Sequence, residues 1–206
     1  MDSIDRLIGR VQATQHGFTD IKRAADELIA LYSMDERLQI AHRLYESEVH
    51  QARMLSTFIM GQLAAGSNET LTFLRHTVSA DEDWRVQEIL AQAFDQYCAE
   101  VGYEQALPVI QDWLGDPVPN VRRAVTEGLR IWTGRSYFRD HPTIAIKLLS
   151  QLRNDDSEYV RKSVGNALRD ISRKHKDLVK AELAQWDVSS KQVEQTRKLA
   201  SKFLQE

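Results

Sequence analysis

The feature that most constrains this chain is a segment of similar sequence that occurs four times. The copies begin at Val49, Val86, Val121 and Val160, which are 37, 35 and 39 residues apart. In the last three copies, apolar or small residues stand 0, 3, 4, 7 and 8 positions after the valine, a spacing that forms one face of an α-helix. Each interval leaves room for a second helix. The spacing therefore predicts a stack of helix pairs.

Acidic and turn-forming residues precede the last three of these helices, at 81–83, 116–120 and 155–158. Such residues supply oxygens for the first backbone N–H groups of a helix and place negative charge at its positive end. The apolar spacing also predicts helices at about 103–114, 142–152, 20–32, 34–45 and 67–78 and from about 189 onward. No segment has the alternating pattern of a strand.

A turn aspartate followed by a Val-Arg step resembles HEAT repeats, in which the aspartate and the arginine often bond between neighbouring units. The resemblance implies an all-α, HEAT-like helical-repeat solenoid, an α-α superhelix. It also offers Asp116, Arg122, Asp156 and Arg161 a purely structural role. We expect one domain over residues 1–206, with an atypical N-terminal cap at 1–45, HEAT-like repeats at 46–186 and a C-terminal helix at 187–206.

Charge is distributed unevenly along the chain. Residues 1–120 hold 9 Lys and Arg against 19 Asp and Glu, whereas residues 121–180 hold 14 against 7. A basic block inside an acidic protein favours an anionic partner such as a nucleic acid backbone, although a solvated helical surface has the same composition. In a HEAT stack the second helices, here 84–97, 120–131 and 159–173, would line a concave face.

The sequence lacks the signals of export and of several enzyme classes. No apolar run follows the charged residues at the start, and no stretch reaches the roughly 20 apolar residues of a membrane span, so we expect a cytoplasmic monomer that binds no membrane. Gly-rich phosphate loops, GxSxG and HExxH are missing, and the six histidines are scattered. We therefore predict no metal site and no cofactor. The lone Cys98 is expected to be a buried hydrophobe.

Three runs of sequence sharpen the resemblance. Residues 83–88, 120–132 and 157–172 resemble the HEAT-repeat DNA alkylation repair proteins, a family that includes glycosylases that excise cationic alkylated purines. The similarity covers roughly residues 35–186. It implies that double-stranded, alkylated DNA is the partner.

The resemblance also implies particular site residues. The family places a tryptophan and a carboxylate four residues apart, which Trp84 and Glu88 match, although some members have aspartate at the acid position. A carboxylate near the sugar stabilises the positive charge that develops as an N-glycosidic bond breaks, and an aromatic ring favours a cationic base. In the alternative interpretation, Trp84 packs in the core and Glu88 pairs with Arg85 or Arg123.

This chain lacks a second tryptophan that the resemblance leads us to expect. Where alkylpurine glycosylases carry another cleft tryptophan, this chain has Asn166, and one turn later Asp170 resembles a cleft aspartate of another branch of the family. Asp170 is a second candidate acid, or else the partner of Arg173 or Lys174. Trp132 and Tyr159 are further candidates for contact with the damaged base, unless they pack in the core. The candidate contacts to the DNA backbone are the cations Arg122, Arg123, Arg130, Arg161, Lys162 and Arg169.

The sequence is compatible with two functions. The first is a DNA-binding alkylation repair protein that acts as a glycosylase by hydrolysing the N-glycosidic bond. The second is a non-catalytic HEAT-repeat scaffold that binds a protein or damaged DNA, which the acidic N-terminal half and Asn166 favour. The second predicts an apolar or mixed binding face.

Overall fold

The structure, a computed structural model, describes residues 3–204. Within them it contains 13 α-helices and three short 3₁₀ turns but no strand. The predicted class, an all-α fold of HEAT-like helical repeats, is confirmed. The chain separates into two compact units, Met1–Glu100 and Val101–Glu206. The single domain over residues 1–206 stays a prediction.

The first unit is arranged around one buried helix. Its helices are α1 (Ser3–Gln12), α2 (Thr19–Leu31), α3 (Met34–Tyr45), α4 (His50–Leu63), α5 (Asn68–His76) and α6 (Trp84–Val101), the last of which reaches the unit boundary. Helix α4 packs against α1, α2, α3 and α5. Because neighbours surround it, nearly every residue from 51 to 63 is buried, and the buried hydroxyls of Ser56 and Thr57 donate to backbone carbonyl oxygens.

The second unit has α11 at its centre. Its helices are α7 (Leu107–Leu114), α8 (Pro119–Gly128), α9 (Ser136–Asp140), α10 (Pro142–Ser150), α11 (Glu158–Ser172), α12 (Lys176–Leu183) and α13 (Lys191–Ala200). Helix α11 packs against α8 and α13, and it also contacts α10 and α12. The apolar face predicted after Val160 is the buried one, since Val160, Val164, Ala167, Leu168 and Ile171 are all buried.

Five helices begin after turns that are closed in the same way. In each turn a side-chain oxygen accepts a hydrogen bond, 2.8–3.2 Å long, from the backbone N–H two residues later. The five acceptor residues are Ser47, Asp81, Asp116, Asp155 and Asp187, before α4, α6, α8, α11 and α13 respectively. The repeat predicted from the sequence is therefore a repeat of turns as well as of apolar faces.

Two arginines join these turns to one another as the rungs of a ladder. Nε and Nη2 of Arg53 donate to the two carboxylate oxygens of Asp81 at 2.8 and 3.1 Å. Nε and Nη2 of Arg122 donate in the same way to Asp155 at 2.7 and 2.8 Å. The Nη1 of each arginine donates to the carbonyl oxygen six residues earlier, at 2.9 and 2.7 Å. Each rung thus ties the turn before one helix to the corresponding turn of the next repeat within the same unit.

The ladder corrects two details of the sequence alignment. Val86, Val121 and Val160 are the third residues of their helices, and the corresponding residue of α4 is Ala52, because Val49 precedes that helix. The aspartate that Arg122 binds is Asp155, whereas Asp156 is exposed. Neither correction changes the fold class, because each shifts an assignment by only one to three residues along the chain.

Helices α4 and α6 approach so closely that a glycine is required between them. A Cβ atom on Gly61 would lie 2.7 Å from both the Cα and the Cβ atoms of Ala93. Because the clash includes a backbone atom, we expect Gly61→Ala to lower the free energy of unfolding by about 1–3 kcal/mol in urea denaturation. A matched control is Gly9→Ala, since a Cβ at Gly9 meets no atom within 4 Å. This control should raise stability by up to about 1 kcal/mol through helix propensity. Equal stability of the two variants would contradict the close approach.

Candidate nucleic-acid interface

The first turn of α6 presents an exposed aromatic ring. Trp84 is 59% exposed, so the interpretation in which it packs in the core is wrong. The guanidinium of Arg85 lies 5.6 Å from the centre of the ring and is held by Asp83, with Nη2 donating to its carboxylate at 2.7 Å. The hydrogen bonds from Arg85 hold the pKa of the Asp83 carboxyl below its ordinary value. The tryptophan therefore offers a large π surface beside a fixed cation.

Glu88 lies one helical turn after Trp84 and is exposed. Residues four positions apart in a helix share a face, so the ring and the carboxylate lie on one side of α6. This arrangement has the two components that the resemblance requires, an aromatic surface and an anionic group.

The second unit carries a polar stripe along one side of α11 and the residue after it, exposed at Tyr159, Lys162 and Arg173 and half-buried between them. Its members recur every three to four residues and are Tyr159, Lys162, Asn166, Arg169 and Arg173. Tyr159 is 72% exposed, so core packing is wrong for this residue. Lys162 donates to Glu158 across 2.7 Å, an exposed pair one turn apart. The stripe is cationic and includes one aromatic ring.

Asp170 is bound by two guanidiniums. Its side chain is only 10% exposed, with Nε of Arg130 at 3.1 Å and Nη2 of Arg169 at 3.2 Å. The expected partners Arg173 and Lys174 are therefore replaced by Arg130 and Arg169. Two cations around one carboxylate offset its charge and hold it in place.

Trp132 was expected to contact a base, but the structure buries it. The indole is fully buried, its Nε1 donates to the Thr126 carbonyl oxygen at 3.4 Å, and its ring lies 5.0 Å from that of Phe138. A base cannot reach a ring that is enclosed on all sides. Trp132 is a core residue of the second unit.

Besides Arg130 and Arg169, two more of the expected contacts to the DNA backbone are used inside the protein. Arg122 forms a ladder rung, with its side chain 12% exposed, and Arg161 is 8% exposed. Both edges of the Arg122 guanidinium are hydrogen-bonded to protein oxygens. Arg122 is therefore a structural residue, and the expectation that it contacts the DNA backbone is wrong. The stripe includes Lys162 but not Arg161.

The sequence interpretation missed an aromatic contact at the end of α11. The guanidiniums of Arg169 and Arg173 lie 5.7 and 4.7 Å from the centre of the Phe203 ring. Phe203 belongs to the C-terminal segment, three residues after the end of α13. A cation–π contact between segments 30 residues apart leaves no local signal in sequence. It holds both arginines along the stripe.

Within residues 3–204, no group of three or more His, Cys, Asp or Glu side chains is arranged to hold a metal ion. Of the helices that the structure describes, none is both long and apolar enough to cross a membrane. Cys98 is buried, as expected. Each unit thus offers its own candidate surface, the first turn of α6 in the first unit and the stripe of α11 in the second.

Comparison with known proteins assigns the family. The family model described as DNA alkylation repair enzyme matches residues 16–204, nearly the whole chain. The chain belongs to the DNA alkylation repair enzyme family. The resemblance inferred from residues 83–88, 120–132 and 157–172 is confirmed.

Three known proteins are similar to this member of the alkylation repair family. The crystal structure of AlkD2 from Streptococcus mutans has 46% identity over 98% of both chains, with a TM-score of 0.96. The alkylpurine DNA glycosylase AlkC of Pseudomonas fluorescens, solved bound to DNA with an abasic-site analog, has 23% identity and a TM-score of 0.53. The match covers 96% of this chain and 61% of AlkC, and it shows a shared fold.

The third relative is YhaZ of Bacillus subtilis, described as uncharacterized. It has 34% identity over 87 residues, which are 40% of this chain and 24% of YhaZ. The matched segment therefore spans about a quarter of that protein.

Proposed function

We propose that this alkylation repair family member binds duplex DNA and excises cationic alkylated purines by hydrolysing the N-glycosidic bond. The observation that carries the proposal is the exposed Trp84 with Glu88 one turn further along the same face of α6. The family assignment supports the partner and the type of lesion.

The proposed chemistry requires little from the protein. An alkylated purine already carries positive charge and is a good leaving group, so the reaction does not depend on a general acid. Glu88 stabilises the positive charge that develops on the sugar and orients the attacking water. Trp84 favours a cationic base over a neutral one through its π face. Between the two candidate acids we choose Glu88, because it is exposed on the same face of α6 as Trp84, whereas the Asp170 side chain is only 10% exposed.

We assign contact with the DNA backbone to the second unit. Arg123, half-buried on α8, and the exposed Lys162 remain candidates from the sequence, together with Arg130 and Arg169. Arg173 joins them because it shares Phe203 with Arg169. Guanidinium groups suit this role because their planar N–H donors match phosphate oxygens.

DNA binding can be tested through its salt dependence. We expect the affinity for duplex DNA to fall with salt, with a slope of about 0.9 log units per phosphate contact. Lys162→Gln/Arg173→Gln should flatten the slope by about two contacts and weaken binding to every sequence alike. The measurement is fluorescence anisotropy of a labelled duplex across a salt series.

The control for this experiment is Lys147→Gln, an exposed position on α10 that lies outside the stripe. This control removes a charge from the same unit and should leave the slope near that of the unchanged protein. A double variant that keeps the full slope would show that the DNA binds elsewhere.

A second candidate function is DNA binding without excision. Two observations favour it, the neutralising ion pairs around Asp170 and the presence of Asn166 where a second aromatic wall is expected. Both functions predict the same salt dependence. They differ in whether an alkylated base is released.

A further inference from the structure

Arg161 occupies the position in α11 that Arg53 and Arg122 hold in their helices. It makes the same backbone contact as those two arginines, but no aspartate binds its other edge. Its Nη1 donates to the carbonyl oxygen of Asp155, six residues earlier, as the Nη1 of Arg53 and of Arg122 do. Its other edge meets an amide, with Nη2 donating to Oε1 of Gln195 at 3.0 Å. The other two arginines each hold both oxygens of an aspartate at this edge.

This difference leaves a buried cationic donor without an acceptor. Arg161 is 8% exposed, and among the described residues its Nε–H has no hydrogen-bond partner. Buried polar groups are almost always paired, and a buried charge without a counter-charge is unfavourable. Asp187, which closes the fifth turn, does not fill the position. It is exposed and accepts hydrogen bonds from the backbone N–H and the Oγ of Ser189.

A surface pocket between α11 and α13 is lined in part by Arg161, the residue that carries this donor. Its volume is about 220 Å³. Three cationic side chains and one carboxylate line it together with polar and apolar neighbours, and the charged residues are Arg161, Lys162, Lys198 and Glu158. The one carboxylate already accepts a hydrogen bond from Lys162. The pocket therefore carries excess positive charge around a planar guanidinium edge.

We propose that this pocket binds a phosphate oxyanion, whose oxygens take the place that the aspartate holds in the other two rungs. The Nε–H of Arg161 donates to one phosphate oxygen, Nη2 donates to a second in place of Oε1 of Gln195, and the two lysines of the pocket offset the remaining charge. The phosphate comes either from a DNA backbone or from free inorganic phosphate. The site does not rest on the proposed function, because free phosphate binds without DNA or excision.

The test uses inorganic phosphate exchanged for chloride at constant ionic strength and pH. The NMR signal of the Arg161 Nε–H group, assigned by its loss in Arg161→Lys, is expected to shift saturably with phosphate. Gln195→Glu supplies an anionic acceptor of equal length and should weaken phosphate binding about tenfold or more, the loss of one charge-assisted hydrogen bond. Lys198→Gln should also weaken it, from the opposite wall of the pocket.

Two controls carry the same charge changes outside the pocket, at exposed positions of the same unit. They are Gln111→Glu on α7 and Lys147→Gln on α10, and both should bind phosphate like the unchanged protein. An unchanged Arg161 signal in phosphate would overturn the proposal. Saturable binding that persists equally in Gln195→Glu and Gln111→Glu would also overturn it, because the phosphate would then lie elsewhere.

A comparison with DNA identifies the source of the phosphate. Gln195→Glu and Gln111→Glu have the same net charge, so their affinities for duplex DNA are directly comparable. If the pocket takes a backbone phosphate, the affinity of Gln195→Glu for DNA falls below that of Gln111→Glu. If it takes free phosphate, the two variants bind DNA equally and only phosphate binding differs.

Discussion

Arg122→Ala is expected to lower the free energy of unfolding by about 3–5 kcal/mol, although Arg122 lies in the part of the sequence that resembles a DNA-binding motif. The reason is the carboxylate that it leaves behind. The Asp155 side chain is only 4% exposed, and Nε and Nη2 of Arg122 bind both of its oxygens. Without the guanidinium, that charge stays buried without its counter-charge. Urea denaturation followed by circular dichroism measures the loss.

A matched control separates this buried pair from a surface one. Arg139 and Asp140 form an ion pair with side chains 64% and 62% exposed, so Arg139→Ala should cost no more than about 1 kcal/mol. In the double variant Arg122→Ala/Asp155→Asn, the buried charge is removed while an oxygen remains to accept from the Ser157 N–H. This double variant should recover part of the lost stability. If Arg122→Ala costs no more than Arg139→Ala, the ladder is not a structural element.

Much of the fold is readable in the sequence because its signals are local. The helix expected at 34–45 is α3 as observed, and the helices expected near 84, 120 and 159 begin at or within a residue of the starts of α6, α8 and α11. Capping residues and apolar periodicity act within one or two turns of chain, so both appear as short-range patterns. The short helices α9 and α12 were missed because each buries few side chains.

The site was harder to predict because its decisive contacts are distant in sequence. Arg122 and Arg123 are adjacent and chemically alike. Arg122 forms a rung because it binds Asp155, which lies 33 residues later in the chain. Tyr159 and Trp132 are both aromatic, but Tyr159 is exposed and Trp132 is fully buried. This difference depends on tertiary packing, which no local sequence pattern encodes. Asp170 pairs with Arg130, 40 residues away, and not with Arg173 or Lys174 as expected.

Glu88→Gln is expected to slow base excision by about 100- to 1000-fold, the typical effect of removing one preorganised electrostatic group. The amide keeps the shape of the side chain but not the negative charge that stabilises the developing oxocarbenium ion. Affinity for DNA should change little, because phosphate contacts dominate binding. Single-turnover release of methylated purines from duplex DNA measures the rate.

The control for this variant is Glu100→Gln, which makes the same change at an exposed position near the other end of α6. It should excise at the unchanged rate. Asp170→Asn tests the other acid and should retain excision if Glu88 carries the reaction. Loss of excision in Asp170→Asn with normal excision in Glu88→Gln would assign the reaction to Asp170.

The central claim is that this member of the alkylation repair family removes damaged bases from DNA. The most direct measurement incubates the unchanged protein in excess with methylated duplex DNA and quantifies the purines released into solution by chromatography. We predict release of cationic methylated purines above the spontaneous rate, with intact undamaged bases. Binding of the duplex with release no faster than in buffer would contradict the claim and leave DNA binding without excision as the function.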